Sequence, residues 1–228
     1  MDGDAAIIGE PGNCMIAIGH RGIYRFRIQI KGEATHTGVR SWEQGRRGRN
    51  AILDMARIAL ALSDYSLPDT RSEAFPNRKS VLTFPILIRG GSGINAVPGS
   101  CEAYIDVRLL PGMSADEVKR LIKDQLDKLI IATYRLDDVL FIPAAETDPQ
   151  TKIVQTLATA VETIGARPRL EGSGPAPDGW MFITRAIPTV CGYGVTCGGV
   201  HGAGEWVDLE SLRRITEVYA HTILRYFE

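Results

Sequence analysis

Apolar and polar residues alternate over residues 24–31, Tyr-Arg-Phe-Arg-Ile-Gln-Ile-Lys, which predicts a strand with one face buried and one in water. Residues 100–109 alternate in the same way, with Cys101, Ala103, Ile105 and Val107 against Glu102, Tyr104, Asp106 and Arg108. Residues 81–89 and 139–142 are apolar enough for two further strands, and Gly90-Gly91-Ser92-Gly93 and Pro98-Gly99 supply turn chemistry before the strand at 100. Two stretches change to a helical period. After Asn50, the residues Ile52, Met55, Ala56, Ala59 and Leu60 fall on one face. Ser114-x-x-Glu117 is a capping box that opens a helix with Val118, Leu121, Ile122 and Leu126 inward. Residues 63–79, bearing Gly/Pro/Ser/Asp-type residues, read as a connector, and 32–48 as a loop containing His36. The resulting order over residues 20–143, β-α-β-β-α-β, is the split βαβ arrangement of a ferredoxin-like sandwich.

The flanks follow another pattern. Ala5-Ala6-Ile7-Ile8 reads as a buried strand closed by Gly9-Glu10-Pro11-Gly12. Ile153, Leu157, Ala160, Val161 and Ile164 form a helix face, 167–171 and 187–193 read as strands, and Asp208 caps a last helix with Leu212, Ile215, Tyr219 and Ile223 inward. Helix–strand alternation of this kind implies a parallel-type α/β layer. The chain thus divides into 1–19, 20–143 and 144–228, an α/β protein in which the sandwich is inserted between the two parts of one sheet. A buried strand this close to residue 1 has to find its sheet neighbours elsewhere.

Charge narrows the function classes. With 26 Lys+Arg against 27 Asp+Glu in 228 residues, bulk attraction to nucleic acid or to an anionic membrane is not expected. No apolar run approaches the roughly 18 residues of a membrane span, and the first dozen residues lack the basic and apolar regions of a secretory signal, so a cytoplasmic protein is expected. The four cysteines are expected to be reduced. Cys191, Cys197 and His201 are close in sequence, but C-x5-C-x3-H matches no common structural zinc module.

Polar residues in loops at strand ends are the better functional candidates. Five qualify: Glu10 in Gly9-Glu10-Pro11; His36 in Gly32-Glu33-Ala34-Thr35-His36-Thr37-Gly38; Asn95 in Asn95-Ala96-Val97-Pro98; Arg108 in Asp106-Val107-Arg108; and His201 in Val200-His201, with Glu205 following. Singly, each is equally at home as a solvated turn or strand-end residue. His20 and His221 have weaker claims, the one before an ordinary strand and the other mid-helix.

In this order, the blocks Ile7-Ile8-Gly9-Glu10-Pro11, 32–38 with Asn50-Ala51-Ile52, 95–98 with 106–108, and Val200-His201 with Glu205 resemble the dizinc aminoacylase and carboxypeptidase family. That family includes acetylornithine deacetylase, succinyl-diaminopimelate desuccinylase and glutamate carboxypeptidases. The resemblance implies a ferredoxin-like dimerisation (lid) domain set into a zinc-peptidase catalytic domain. It also implies a homodimer through the lid, and a small N-acyl amino acid or peptide as substrate. Glu10 and His201 then resemble ligands of two different zinc ions. His36 resembles the lid histidine that reaches across the dimer to polarise the scissile carbonyl, and Asn95 and Arg108 resemble oxyanion-region and substrate-carboxylate groups. Asp178 falls near the family's Gly-Thr/Ser-Asp turn, with prolines as a departure.

The family's upstream His-x-Asp, bridging Asp and Glu-Glu pair have no counterpart here, so the resemblance implies a C-terminal portion that is inactive alone. A cocatalytic site needs two zincs bridged by a carboxylate and a hydroxide, with a general base beside them. Two other readings stay open: a truncated, non-catalytic paralogue serving as a dimerisation or binding module, and an unrelated ferredoxin-like binding domain.

Overall fold

The computed structural model describes residues 3–68 and 70–228. In chain order its elements are β1 (Ala6–Ile7), β2 (Ile16–His20), β3 (Gly22–Lys31), β4 (Thr35–His36), α1 (Arg40–Glu43), α2 (Ala51–Ser63), β5 (Val81–Gly90), β6 (Ala96–Val97), β7 (Ser100–Leu109) and α3 (Ala115–Leu126). They continue with β8 (Thr133–Ile142), β9 (Ala145–Glu146), α4 (Lys152–Thr163), β10 (Leu170–Ser173), α5 (Trp180–Ile183), β11 (Thr189–Val190), β12 (Cys197–Gly198), β13 (Trp206–Val207) and α6 (Leu209–Tyr226).

The four long strands form an antiparallel sheet in the order β5-β7-β3-β8, the ferredoxin-like order. β3 and β7 pair without a break from Gly22↔Leu109 to Lys31↔Ser100. Their alternation therefore sends Tyr24, Phe26, Ile28 and Ile30, with Cys101, Ala103, Ile105 and Val107, to one face. There α2 and α3 close the core with Met55, Ile58, Leu62, Val118, Ile122 and Leu126. The other face carries a ladder of ion pairs, Arg25 and Arg108 to Asp106 and Arg27 to Glu102 and Asp137. Both helices start where capping chemistry predicts. Asn50 Oδ1 accepts from the Ile52 and Leu53 amides at 3.0 and 3.1 Å, and Ser114 Oγ accepts from Glu117 N at 3.2 Å.

The inward face of α2 differs from the periodicity. Ile52 and Leu60 are exposed and Ala56 faces solvent, while Ala51, Asp54, Met55, Ile58 and Leu62 are buried. The reason is Asp54. Its carboxylate is held by Arg49 (Nε 2.7 Å) and Arg57 (Nη1 2.5 Å), and it also accepts from Ala132 N at 2.8 Å, so an acid occupies a core position that an apolar count assigns to water. The last helix shows the same effect. Leu212 and Ile223 are exposed, and Ser211 and Thr222 are buried with hydroxyls bonded to Asp208 O and Val218 O.

A second core joins β2, α4 and α6 through Ile16, Ile18, Val154, Leu157, Val161, Ile215 and Val218. The connector contributes to it: Ala74 and Phe75 are buried there, and a Cβ at Gly172 would lie 2.2 Å from the Phe75 ring. The strands here are mixed. β1 runs parallel to β11 and β10 parallel to β2, but β9 is antiparallel to β2, and Ala17 bridges Gly192 antiparallel. β1 is half-buried where a buried strand was expected, and the strand expected over 187–193 pairs as a ladder only at Thr189–Val190. Past Val190 it continues as single bridges, because Gly192 and Gly194 bring its backbone too close to residues 9–11 for side chains to intervene.

Candidate active-site residues and their relatives

The lid places two candidates together. β4 and β6 form a two-residue ribbon with His36 opposite Ala96, and Thr37 donates from its amide (3.0 Å) and its hydroxyl (3.1 Å) to Asn95 O. His36 Nδ1 accepts the Gly38 amide at 3.0 Å. A neutral ring fixed this way carries its proton on Nε2, so the exposed edge of His36 is a hydrogen-bond donor. Gly38 leaves the room, since a Cβ there would stand 3.3 Å from the ring. Both His36 and Asn95 are exposed.

Arg108 is not with them. It lies eight residues along β7 from Ser100, roughly 26 Å at about 3.3 Å per residue, at the end where the sandwich joins the second core. Its Nε donates to Asp106 Oδ1 at 2.7 Å, and Arg25 Nε takes Oδ2 of the same carboxylate at 2.6 Å.

Glu10 follows β1 and is pressed onto the backbone after β11. Ile8 N donates to Val190 O (2.9 Å), Tyr193 N to Ile8 O (3.0 Å), and a Cβ at Gly194 would sit 2.2 Å from Glu10 O. Gly194 is therefore a requirement of this turn, one that Gly9-Glu10-Pro11 alone does not announce. His201 is exposed in the loop of the β12–β13 hairpin, with φ of +64°, a left-handed conformation in which His is enriched among non-glycine residues. Glu10 and His201 thus both follow the carboxyl ends of the parallel pair β1 and β11, where α/β sheets present ligand-binding loops. Among the described residues no three His, Cys, Asp or Glu side chains come together as a metal-holding group. These residues do not by themselves make up the coordination shell of a zinc pair. Cys191 is buried, which pushes its thiol up to about 12 and keeps it protonated. The four cysteines are free thiols.

His20 is a core residue. It is fully buried at the end of β2, its Nδ1–H donates to Arg21 O at 3.1 Å, and its Nε2 has no partner among the described residues. Burial pushes its pKa below 6.5, opposed by that hydrogen bond and by the nearby negative charge of Asp178. Asp178 itself is exposed, in the turn before α5.

An antiparallel ferredoxin-like lid set between halves of an α/β layer, with an exposed histidine–asparagine ribbon at its far end, is the architecture of a peptidase dimerisation unit. Residues 18–133 match the family described as peptidase dimerisation domain, and the chain belongs to the M20 peptidases that carry it. It is 26% identical over 237 residues to succinyl-diaminopimelate desuccinylase of Phenylobacterium zucineum, covering 98% of this chain and 58% of that protein. It is 32% identical over 127 residues to acetylornithine deacetylase of Aliivibrio salmonicida, covering 54% of this chain and 32% of the relative. The crystal structure of aminopeptidase PepT from Bacillus cereus superposes with a TM-score of 0.78 at 18% identity, over 99% of this chain and 58% of the other, which shows the shared fold. The chain spans under three-fifths of the length of these proteins. The chemistry of the family is metal-dependent hydrolysis. No helix among the described residues is long and apolar enough to cross a membrane.

Proposed function

We propose that this chain supplies the lid and part of the catalytic domain of a cytoplasmic, dizinc amidohydrolase or exopeptidase that acts on N-acyl amino acids or small peptides, as a homodimer. Its units are 1–19, 20–143 and 144–228. Glu10 and His201 each bind one zinc, Arg108 takes a substrate carboxylate, and His36 with Asn95 meets the oxyanion in the partner's site. The observation that carries this reading is the His36 ribbon. A donor at Nε2 of an exposed ring, oriented by the Gly38 amide on Nδ1, suits a carbonyl becoming an oxyanion. It stands far along the sandwich from Arg108, which favours action on a second subunit.

The bound zinc pair would supply an activated hydroxide at neutral pH. The protein's own share is to place Glu10 in the turn after β1 and His201 in the β12–β13 loop, to present the His36 proton, and to hold the substrate carboxylate with a guanidinium fork. The chain alone is proposed to lack turnover, because a hydroxide bridged between two ions needs more ligands than Glu10 and His201.

Two measurements test this. The first takes the purified, zinc-loaded chain and reads its metal content by mass spectrometry and its hydrolysis of several N-acyl amino acids. Two tightly held zincs with turnover would overturn the proposal of an incomplete site. The second uses a hydrolytically active form and mixes His36→Ala subunits with Glu10→Gln subunits. Each parent is inactive, and mixed dimers should regain about a quarter of full activity, one working site in half of the dimers. No recovery in mixed dimers would remove His36 from the partner's site.

A further inference from the structure

The sandwich and the second core meet where β2 runs into β3, and His20 stands at that crossing. It lies opposite Ala145 on β9 and opposite Ser173 on β10. Two residues on, a Cβ at Gly22 would sit 2.5 Å from Ala144 N, so the outgoing and returning chains touch backbone to backbone here. His20 is fully buried, yet its Nε2 has no hydrogen-bond partner among the described residues. A polar ring atom left unpaired in a core is costly, and calls for an explanation.

The turn at 174–178 lies against the same strand. Ser173 O accepts the Arg21 amide at 3.2 Å. On its other side, a Cβ at Gly179 would stand 2.8 Å from Cys191 Sγ, and the Cys191 amide donates to Ala17 O on β2 at 2.7 Å. Asp178 is thus carried between two points anchored to β2, exposed and without an ion pair among the described residues.

Proton positions account for the unpaired atom. Arg21 O can only accept, so the neutral ring keeps its proton on Nδ1 and Nε2 carries a lone pair. A carboxylate has only lone pairs to offer that edge. A second proton makes Nε2 a charged donor, and a carboxylate then becomes its partner. The other charges around the ring are engaged elsewhere. The Arg21 guanidinium lies 6.0 Å from the centre of the Phe75 ring with Nη2 3.4 Å from Lys79 O, and Glu146 on β9 is held by the Ser72 hydroxyl. Asp178 is the charge that favours protonation of His20, against burial.

We propose that His20 and Asp178 form a proton-operated latch at this crossing: with a second proton His20 donates from Nε2 to the Asp178 carboxylate and draws the turn at 174–178 onto the end of β2, and without it the turn is released. The proton comes from solvent and stays on the ring, and the carboxylate remains ionised. The pair offsets part of the cost of a buried charge, so the ring still titrates below an exposed histidine, and the latch closes as pH falls through that range. Closing it stiffens the crossing between the sandwich and the second core. The latch is independent of the hydrolase reading.

The test is an NMR titration of the chain, reading the ring nitrogens of His20 and the amide protection factors of Gly174, Ala176 and Asp178, which correct for the intrinsic effect of pH on exchange. In the native chain, protection of the turn should rise by about fivefold or more with the same midpoint as His20. In Asp178→Ala, His20 should titrate at lower pH and the turn should gain no protection. A field effect of Asp178 without closure would move the midpoint and leave protection flat, so the two readouts separate them. His20→Gln should abolish the gain; its site is buried and the variant can misfold, whereas Asp178 is exposed and its variant reads the latch cleanly. The proposal is overturned by protection that stays flat across the His20 midpoint, by an equal rise in Asp178→Ala, by identical midpoints in the two proteins, or by a ring that stays neutral until the chain unfolds.

Discussion

His36 owes its donor edge to one backbone amide, that of Gly38, and very little packs on it. In a hydrolytically active form, His36→Ala should lower kcat by about 10²–10³ while the melting temperature barely moves. Normal kcat would remove the residue from the mechanism. His20 is the opposite case, a histidine whose role is in the core. Its folded pKa lies below its unfolded value of 6.5, so the unfolded chain takes up protons first on acidification. Its contribution to stability is complete above pH 6.5 and is lost as pH falls from there through the folded pKa. Chemical denaturation across pH 7.5 to about 5 should show this slope in the native chain and its absence in His20→Gln. An unchanged slope would assign it to other groups. The sequence marks His36 as a loop residue between Thr35 and Thr37, which is enough to single it out. It cannot show that the ring of His20 is sealed from water, because that depends on β9, β10 and the connector closing over β2.

At the scale of elements, local signals worked where the physics is local. The caps at Asn50, Ser114 and Asp208 are hydrogen bonds within three residues, and the alternation of β3 and β7 is a property of the pleat. The face of α2 was misread because Asp54 draws two of its partners from outside the helix, Arg49 before it and Ala132 from the end of the segment after α3, besides Arg57 within it. Burial alone would raise the pKa of Asp54, but the Arg49 and Ala132 hydrogen bonds and the arginine charges outweigh it and leave the carboxylate below its usual range. Asp54→Ala removes those bonds and strands the Ala132 amide, and should cost about 2–4 kcal/mol in denaturant unfolding. Arg57→Ala, whose side chain is half in water, should cost well under about 1 kcal/mol. Equal costs for the two would show that Asp54 is not the hub of this cluster.

The whole molecule presents an edge that the elements alone do not explain. β5 is one of the two edge strands of the sheet, and Ile86, Leu87 and Ile88 on it are 55%, 41% and 46% exposed, beside the exposed Leu53 and Leu60 of α2. An open apolar edge of this kind pairs with a second chain, and a two-fold dimer through it is the expected assembly. Sedimentation equilibrium well above micromolar should give a dimer, and Ile86→Asp with Ile88→Lys should shift it to monomer without unfolding the sandwich. A monomeric native chain would contradict this. What the sequence determined by itself is whatever depends on neighbours along the chain: strand periodicity, helix starts, turn chemistry, balanced charge, and the order of the motif blocks that marks the family. Only the tertiary structure decided which residues meet. It put His36 beside Asn95 and away from Arg108, and pressed Glu10 against Gly194. It also buried His20 and Asp54. Those meetings join positions tens to almost two hundred residues apart, through strand register and core closure, and no window of local sequence contains the partners whose contact sets them.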